Sequence, residues 1–417
     1  MLSKLKTKKL LILIDQMLVS GSNFVLGILL ARYLGVVGYG QFALLWLIVL
    51  FFSSLQLAYI VSPMLTLGSK KSSFILDRYL STMMFLQVMF TVVAIISLYF
   101  FLEVAVFFDE KWNMGDLKIY ILFTTLFFLS QDFLRRYFII KAQYYSLLII
   151  DAIAYLGQLG MLVYFIYNNN LDLSTALLAV AIPFLSALLV GYTQVTRVTT
   201  NMQYKRLIFF KNWKFSKWLV YSSLLQWGSG NFYILAGGAI LGSWAVGVIR
   251  IMQNTMGVFN IIFLSLENLL PITFSKIYNK QENSTLINYS KKLVFFGVMT
   301  SFILLVIVYA FSVEIISLIY GKEYIEYSYL LIAYVGIYLF IYLSLLLRNI
   351  LKTLEYTKYI FKVNIIIFIV NIIIVFPLLT IYSINGIVIG IYISHITYII
   401  YLYSRLNSYG VLLNEKK

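Results

Sequence analysis

Twelve long apolar stretches constrain this chain more than any other feature of its sequence. Each holds roughly 20 predominantly apolar residues, and a helix of that length crosses a hydrocarbon core of about 30 Å. Barrel strands alternate apolar and polar residues over about ten positions, so they do not fit such continuous runs. We predict an all-α polytopic membrane protein with spans near 10–31, 40–62, 79–102, 118–138, 145–167, 174–196, 218–240, 247–270, 293–314, 328–349, 361–381 and 386–404.

The basic residues give these spans an orientation. If the N-terminus is cytoplasmic, 27 of the 32 lysines and arginines fall at the inner ends of the spans. The positive-inside rule therefore predicts twelve spans with both termini in the cytoplasm. The net charge of +16 reflects this bias, so we expect no nucleic-acid partner.

Several kinds of chemistry lack the residues that they need. The sequence has no cysteine and a single histidine, His395, which can build neither a metal site nor a catalytic triad alone. No phosphate-binding loop is found outside the spans, and the longest outer loop, about 103–117, is short for a membrane glycosyltransferase or polymerase. We expect a transporter that is not an enzyme and carries no metal or cofactor.

The two halves of the chain resemble each other. The stretch SGSNFVLGILLARYLGVVGYG at 20–40 matches GSGNFYILAGGAILGSWAVG at 228–247, and Pro63 falls opposite Pro271. Six spans in each half return the chain to the same side, which predicts parallel repeats about an axis along the membrane normal. We therefore predict two six-helix lobes, residues 1–205 and 206–417, joined by a basic cytoplasmic linker at about 197–217.

Polar residues share faces of the helices that such lobes would turn toward a central cleft. Ser223 and Gln226 lie on one face of the seventh span, and Asp15 lies on the corresponding face of the first. On the eighth span the set comprises Arg250, Gln253 and Asn254, with Glu267 nearby. Ordinary hydrogen bonding between helices is the alternative for this stripe.

Charges inside spans cost about 2.5–3.5 kcal/mol each near the bilayer centre, so each calls for a cavity or a partner. Arg32 and Arg250 lie near outer helix ends, where they either line a cavity or snorkel to the interface. Asp132 precedes Arg135 and Arg136 by three and four residues, which favours a local ion pair.

The segment ARYLGVVGYGQFALL, in which a span ends in arginine before Leu-Gly-x-x-x-Tyr-Gly-x-Phe, resembles the signature of polysaccharide exporters. These form part of the multidrug/oligosaccharidyl-lipid/polysaccharide (MOP) superfamily, and the resemblance extends to the Wzx-type O-antigen flippases. It covers the whole chain in length, span number and basic middle loop. The resemblance implies a MATE-like fold and a location in the inner membrane of a bacterium. It also implies that the protein moves an undecaprenyl-diphosphate-linked oligosaccharide from the cytoplasmic to the periplasmic leaflet by alternating access.

The resemblance also implies roles for individual residues. The cavity cations would be Arg32 and Arg250, with Arg135 or Arg136 as further candidates, while sugar-binding side chains would be Asn254, Gln253, Gln226 and Ser223. Gly35, Gly38 and Gly40 would form a tight outer turn and allow close helix packing. A polysaccharide polymerase and chain-length proteins are the expected partners, besides membrane lipids.

Two questions stay open at this point. Asp15, and with it Glu267, is a candidate for proton or sodium coupling or for gating, but Asp15 could also be a solvated group at the cytoplasmic interface. A cation-coupled multidrug antiporter of the same fold is the alternative function. Such an antiporter would need an acidic or aromatic cavity, and the two outer arginines argue against it.

Overall fold

The structure, a computed structural model, is helical throughout the part of the chain that it describes. That part comprises residues 2–69, 71–108, 114–195, 202–257, 259, 263, 266, 269–270, 273–274, 277, 283–354 and 356–408. The α-helices are α1 Leu2–Gln56, α2 Ser62–Gly68, α3 Ser73–Phe108, α4 Met114–Ile140, α5 Tyr144–Asp151, α6 Gly157–Tyr167, α7 Leu173–Thr193, α8 Met202–Ile240, α9 Ser243–Met256, α10 Asn283–Ile319, α11 Tyr329–Thr353 and α12 Thr357–Ser408. One π-helical turn, Leu57–Val61, joins α1 to α2, and another, Ala152–Leu156, joins α5 to α6.

Eight helical stretches of the described chain are long and apolar enough to cross a membrane. Two of them, Leu10–Gly68 and Lys358–Asn407, have 59 and 50 residues, enough for two crossings each. Each is broken once inside, at Gly35 with φ 69° and at Ser383 with φ 51°. The architecture therefore agrees with the predicted all-α polytopic fold and is consistent with twelve spans.

Gly35 and Gly40 have separate structural roles. Only Gly35 of this pair leaves the helical conformation, and its positive φ is one that residues with a side chain rarely adopt. The helix resumes at Val36, so Gly35 alone makes the expected outer turn, while Gly38 and Gly40 lie within the helix. Pro63 lies in the first turn of α2, which continues directly from the π-helical turn Leu57–Val61.

Gly40 lies in a close backbone contact with the start of α9. A Cβ on Gly40 would lie 1.8 Å from the Ser243 carbonyl oxygen, and a Cβ on Gly247 would lie 2.3 Å from that of Val36. Val36 corresponds to Ser243, and Gly40 to Gly247, at the same repeat offset, so the contact is self-complementary, as at a two-fold interface. The matched glycines are thus explained by helix packing.

The chain forms two compact units. The first comprises Met1–Leu34 and Gln41–Trp227, and the second comprises Gly35–Gly40 and Gly228–Lys417. The predicted lobes, 1–205 and 206–417, divide the chain within the first turns of α8, whereas the first unit includes α8 as far as Trp227. A core of the second unit gathers Phe274, Leu286, Leu351, Val363 and Leu402, all nearly inaccessible to solvent.

Candidate functional site

Three buried charged residues meet inside the first unit. Arg135 of α4 places its Nε 2.6 Å from Asp151 Oδ2 and its Nη2 2.9 Å from Asp15 Oδ2. All three are buried, with 8% of Arg135, 3% of Asp15 and none of Asp151 exposed. One cation therefore faces two carboxylates, and the cluster carries one negative charge when both carboxylates are ionised. We call these three residues the charged network.

Local structure positions each member of the charged network. Asp151 is the last residue of α5, directly before the π-helical turn, and such turns shift side chains out of the regular helical register. Gln131, one turn before Arg135, donates from Nε2 to Asp151 Oδ1 at 2.7 Å. Asp15 Oδ1, by contrast, has no hydrogen-bond partner in the described structure. Asp15 is therefore buried rather than solvated at the interface, and it is the less satisfied of the two carboxylates.

The other sequence-predicted residues of the first unit are dispersed. Arg136 Nε lies 3.4 Å from Asp132 Oδ1, which confirms the local ion pair. Arg32 is exposed and makes no ion pair with the described residues. Ser223 donates to the Ser54 carbonyl oxygen at 3.1 Å, and Gln226 is exposed. The charges of Arg135 and Arg136 are both met by carboxylates, which leaves Arg32 as the uncompensated arginine of this predicted set.

A second polar site surrounds Arg250 in the second unit. Its Nη1 donates to Gln253 Oε1 at 3.0 Å, one turn further along α9. The Tyr39 and Tyr334 side chains, both buried, lie within electrostatic range of the guanidinium. Among the described residues no carboxylate lies within ion-pair distance of Arg250, so its charge is solvated only by neutral dipoles. We call Arg250, Gln253, Tyr39 and Tyr334 the Arg250 pocket.

Asn254 lies beside this pocket but bonds elsewhere. Its Nδ2 donates to the Tyr320 hydroxyl at 3.2 Å, and Thr255 Oγ1 lies 3.1 Å from the same oxygen. The structure thus brings Arg250 and Gln253 together and sets Asn254 next to them. Glu267, predicted as a coupling or gating residue, lies outside the described residues.

The chemistry of the two sites differs. A partly buried guanidinium without a carboxylate can bind an anion through two parallel hydrogen bonds, and the neighbouring amide and hydroxyl groups supply further contacts. The charged network can instead accept a proton on its excess carboxylate. Among the described residues, no group of three or more His, Cys, Asp or Glu side chains is placed to hold a metal ion.

Three residues of the two sites were not among the residues predicted from the sequence. They are Asp151 of the charged network, and Tyr39 and Tyr334 of the Arg250 pocket. Asp151 carried a signal, since a carboxylate inside a span needs a partner and Arg135 lies inside another span. The tyrosines carried none, because 34 tyrosines are scattered along the chain.

Comparison with known proteins supports this architecture. Residues 219–376 match the MatE family model. The lipid II flippase MurJ in an inward closed conformation aligns with a TM-score of 0.71 at 16% identity, covering 98% of this chain and 90% of MurJ. An inward-facing multidrug resistance MATE transporter of the MOP superfamily aligns with a TM-score of 0.75 at 11% identity, covering 98% of this chain and all of that one.

The binding pocket of a third solved structure is described as reversed in polarity. That structure is of a MOP superfamily transporter from Pyrococcus furiosus whose reversed pocket polarity is described as suggesting a different function. It aligns with a TM-score of 0.63 at 12% identity over 97% of this chain and 96% of its own. None of the curated proteins compared with the chain matches it.

These likenesses define the class of protein. The chain has the fold of polytopic helical transporters, and these three neighbours are transporters and a flippase rather than enzymes. More particularly, it shares its fold with solved MOP superfamily transporters, and the MatE match lies in the second half of the chain.

Proposed function

We propose that this protein is a flippase that moves an undecaprenyl-diphosphate-linked oligosaccharide from the cytoplasmic to the periplasmic leaflet of the bacterial inner membrane. The observation that carries the proposal is the Arg250 pocket, a partly buried cation that no described carboxylate neutralises. The Wzx-type resemblance of the segment around Arg32 supports the same substrate class. A repeat-unit polymerase and chain-length proteins would then act on the product outside the membrane.

The electrostatics favour an anionic head group over a cationic drug. Binding a diphosphate at Arg250 neutralises a buried charge and replaces weak dipoles by charge-assisted hydrogen bonds. A cationic drug would meet repulsion at the same place. The carboxylates inside the predicted spans of the first unit offer little to such a drug, since Asp15 and Asp151 are bonded to Arg135 and Asp132 to Arg136.

Ion coupling is assigned in this proposal to the charged network. A proton that neutralises Asp15 would leave one cation and one carboxylate, a pair without net charge in a low-dielectric interior. Both oxygens of Asp151 are bonded, to Arg135 and to Gln131, whereas Asp15 Oδ1 has no hydrogen-bond partner among the described residues, which makes Asp15 the candidate for the coupling ion. Since Asp15 lies on α1 and Arg135 on α4, protonation would weaken the link between these helices.

The test uses a strain that lacks the gene. We expect lipid-diphosphate-linked repeat units to accumulate on the inner leaflet and the wild-type gene to restore export. Arg250→Ala should lower export by about tenfold or more, since one hydrogen bond to a charged group contributes about 1.5–3 kcal/mol. Arg250→Lys should retain part of it, because a lysine keeps the charge without the planar fork.

Arg405→Ala is the matched control, because Arg405 belongs to the same unit and lies over the Tyr359 and Tyr401 rings, outside the Arg250 pocket. It should restore export as the wild type does. Unchanged export in the deletion strain, together with increased sensitivity to cationic drugs, would refute the flippase proposal and favour the multidrug antiporter.

A further inference from the structure

The second unit contains an apolar cavity of about 200 Å³. Its walls include Phe259 and Phe263 after α9, Phe296 on α10, and Tyr338 and Tyr342 on α11. The Phe263 ring stacks on the Tyr338 ring at a centroid distance of 5.7 Å and lies 6.2 Å from the Tyr342 ring. The Tyr342 hydroxyl donates to the Leu293 carbonyl oxygen, so its polar end is already satisfied. We call this space the aromatic cavity.

The aromatic cavity opens at the surface of the unit. On its α10 side, Phe296 is 64% exposed and Thr300 is also exposed. In the most apolar 18-residue stretch of α10, only 17% of the residues are buried, as expected for a helix that faces lipid. An apolar chain from the bilayer can therefore enter the cavity without crossing a polar surface.

A row of tyrosines connects the aromatic cavity to the Arg250 pocket. Tyr334, Tyr338 and Tyr342 are spaced four residues apart on α11, so they share one face. Tyr334 belongs to the Arg250 pocket, whereas Tyr338 and Tyr342 line the cavity. At 1.5 Å per residue the row is about 12 Å long. A cationic site thus continues into an apolar one, and this charge pattern matches an amphiphile with an anionic head and an apolar chain.

We propose that the aromatic cavity binds the polyprenyl chain of the substrate while its diphosphate occupies the Arg250 pocket. This inference rests on the proposed function and adds a tail site to it. In the predicted orientation Arg250 lies near the outer end of its span and the chain then runs inward. The tyrosine row on α11 also runs inward in that orientation and places Tyr342 about 12 Å deeper than Tyr334, somewhat less than half of a hydrocarbon core of about 30 Å. The bound lipid would therefore have the orientation of the outer leaflet, and the cavity is a release site for the flipped product.

Photo-crosslinking from two neighbouring positions of α10 tests this site. The photoreactive residue p-benzoylphenylalanine replaces either Thr300, which lines the cavity, or Val298, which does not and is 39% exposed. Threonine and valine have nearly the same shape, so the two replacements are matched. The full-length protein is reconstituted into phosphatidylcholine vesicles that contain undecaprenyl diphosphate, irradiated and analysed by mass spectrometry.

We expect the polyprenyl adduct at position 300 to exceed that at position 298 several-fold, and Arg250→Ala to abolish the excess. Equal polyprenyl adducts at both positions, or an excess at position 300 that Arg250→Ala leaves unchanged, would overturn the inference. An adduct at position 300 with phosphatidylcholine chains alone would also overturn it, because the cavity would then hold any bilayer lipid.

A cavity-filling pair of variants gives an independent readout. Thr300→Trp should slow the flipping of undecaprenyl-diphosphate-linked oligosaccharide in the same vesicles, whereas Val298→Trp should not. Equal rates for both variants would overturn the tail site. If the wild type flips the lipid in an Arg250-dependent manner but position 300 shows no crosslinking preference, the proposed function is supported and the tail site is refuted.

If the wild type does not flip the lipid and position 300 still shows an Arg250-dependent preference, the tail site is supported and the proposed function is refuted.

Discussion

The two units contain buried polar clusters of opposite character. In the first, the charged network ties α1, α4 and the end of α5 together through Asp15, Arg135 and Asp151. In the second, Asn371 Oδ1 lies 3.1 Å from the Tyr233 hydroxyl and 2.8 Å from Ser394 Oγ, and no charged group takes part. We call Tyr233, Asn371 and Ser394 the neutral node; it joins α8 to α12.

Under the proposed function, this difference would separate the two tasks of a coupled transporter. A cluster of ionisable groups changes its net charge when it binds a proton, and the strength of its helix contacts changes with it. Amide and hydroxyl groups hold the same hydrogen bonds at any biological pH. Under the proposed function, the first unit is the one whose packing would respond to an ion, while the second would offer Arg250 to the substrate.

Removing the cation of the charged network should have the largest effect on stability. Arg135→Leu leaves Asp15 and Asp151 buried without their partner, and breaking a buried pair in this way costs about 3–5 kcal/mol. We expect thermal unfolding of the purified protein in detergent to show a strongly lowered midpoint. Combining Arg135→Leu with Asp15→Asn and Asp151→Asn removes the uncompensated charges and should recover most of the loss. A single variant as stable as the wild type would show that the charged network does not hold these helices together.

The two carboxylates should not contribute equally. Both oxygens of Asp151 are bonded, to Arg135 and to Gln131, whereas Asp15 has a single bonded oxygen. Asp151→Asn should therefore destabilise the protein by about 1.5–3 kcal/mol, the contribution of hydrogen bonds to charged groups, and Asp15→Asn by less. Transport by Asp15→Asn should in addition lose its dependence on a proton gradient. Equal destabilisation, or an unchanged gradient dependence, would contradict the assignment of Asp15 as the proton-binding member.

How far the sequence predicts these features depends on their range along the chain. The spans, the break at Gly35 and the Asp132–Arg136 pair follow from local patterns, since residues four apart share a helix face. The partners of Arg135 do not, because consecutive residues point about 100° apart on a helix and Arg135 faces other helices than Arg136 does. Those contacts depend on how three helices pack, which no single stretch specifies.

The Arg250 pocket, too, was only partly predictable from local sequence patterns. Arg250 and Gln253 are three residues apart, and their shared face was predictable. Tyr39 and Tyr334 come from two distant parts of the sequence, and nothing distinguishes them there from other tyrosines. The contact of Gly40 with Gly247 could be anticipated because the two glycines occupy matching positions of the sequence repeat. Tyr39 and Tyr334 do not occupy matching positions.

The neutral node should be the least sensitive of these clusters. Tyr233→Phe removes one donor to Asn371 Oδ1, but Ser394 still reaches that oxygen, so we expect a loss of about 0.5–1.5 kcal/mol, typical of a neutral hydrogen bond. Ser394→Ala should cost a similar amount, because Tyr233 then remains as the donor. Removing both donors leaves a fully buried oxygen unsatisfied and should cost more than the sum of the two single changes, which a double-mutant cycle of thermal unfolding measures.

The losses of stability caused by Tyr233→Phe and by Ser394→Ala should also be the same at pH 6 and pH 8, because tyrosine and serine side chains do not titrate over roughly that range, whereas histidine does. A pH-dependent loss at the neutral node would show that the second unit, too, responds to protons and would remove the division of tasks between the units.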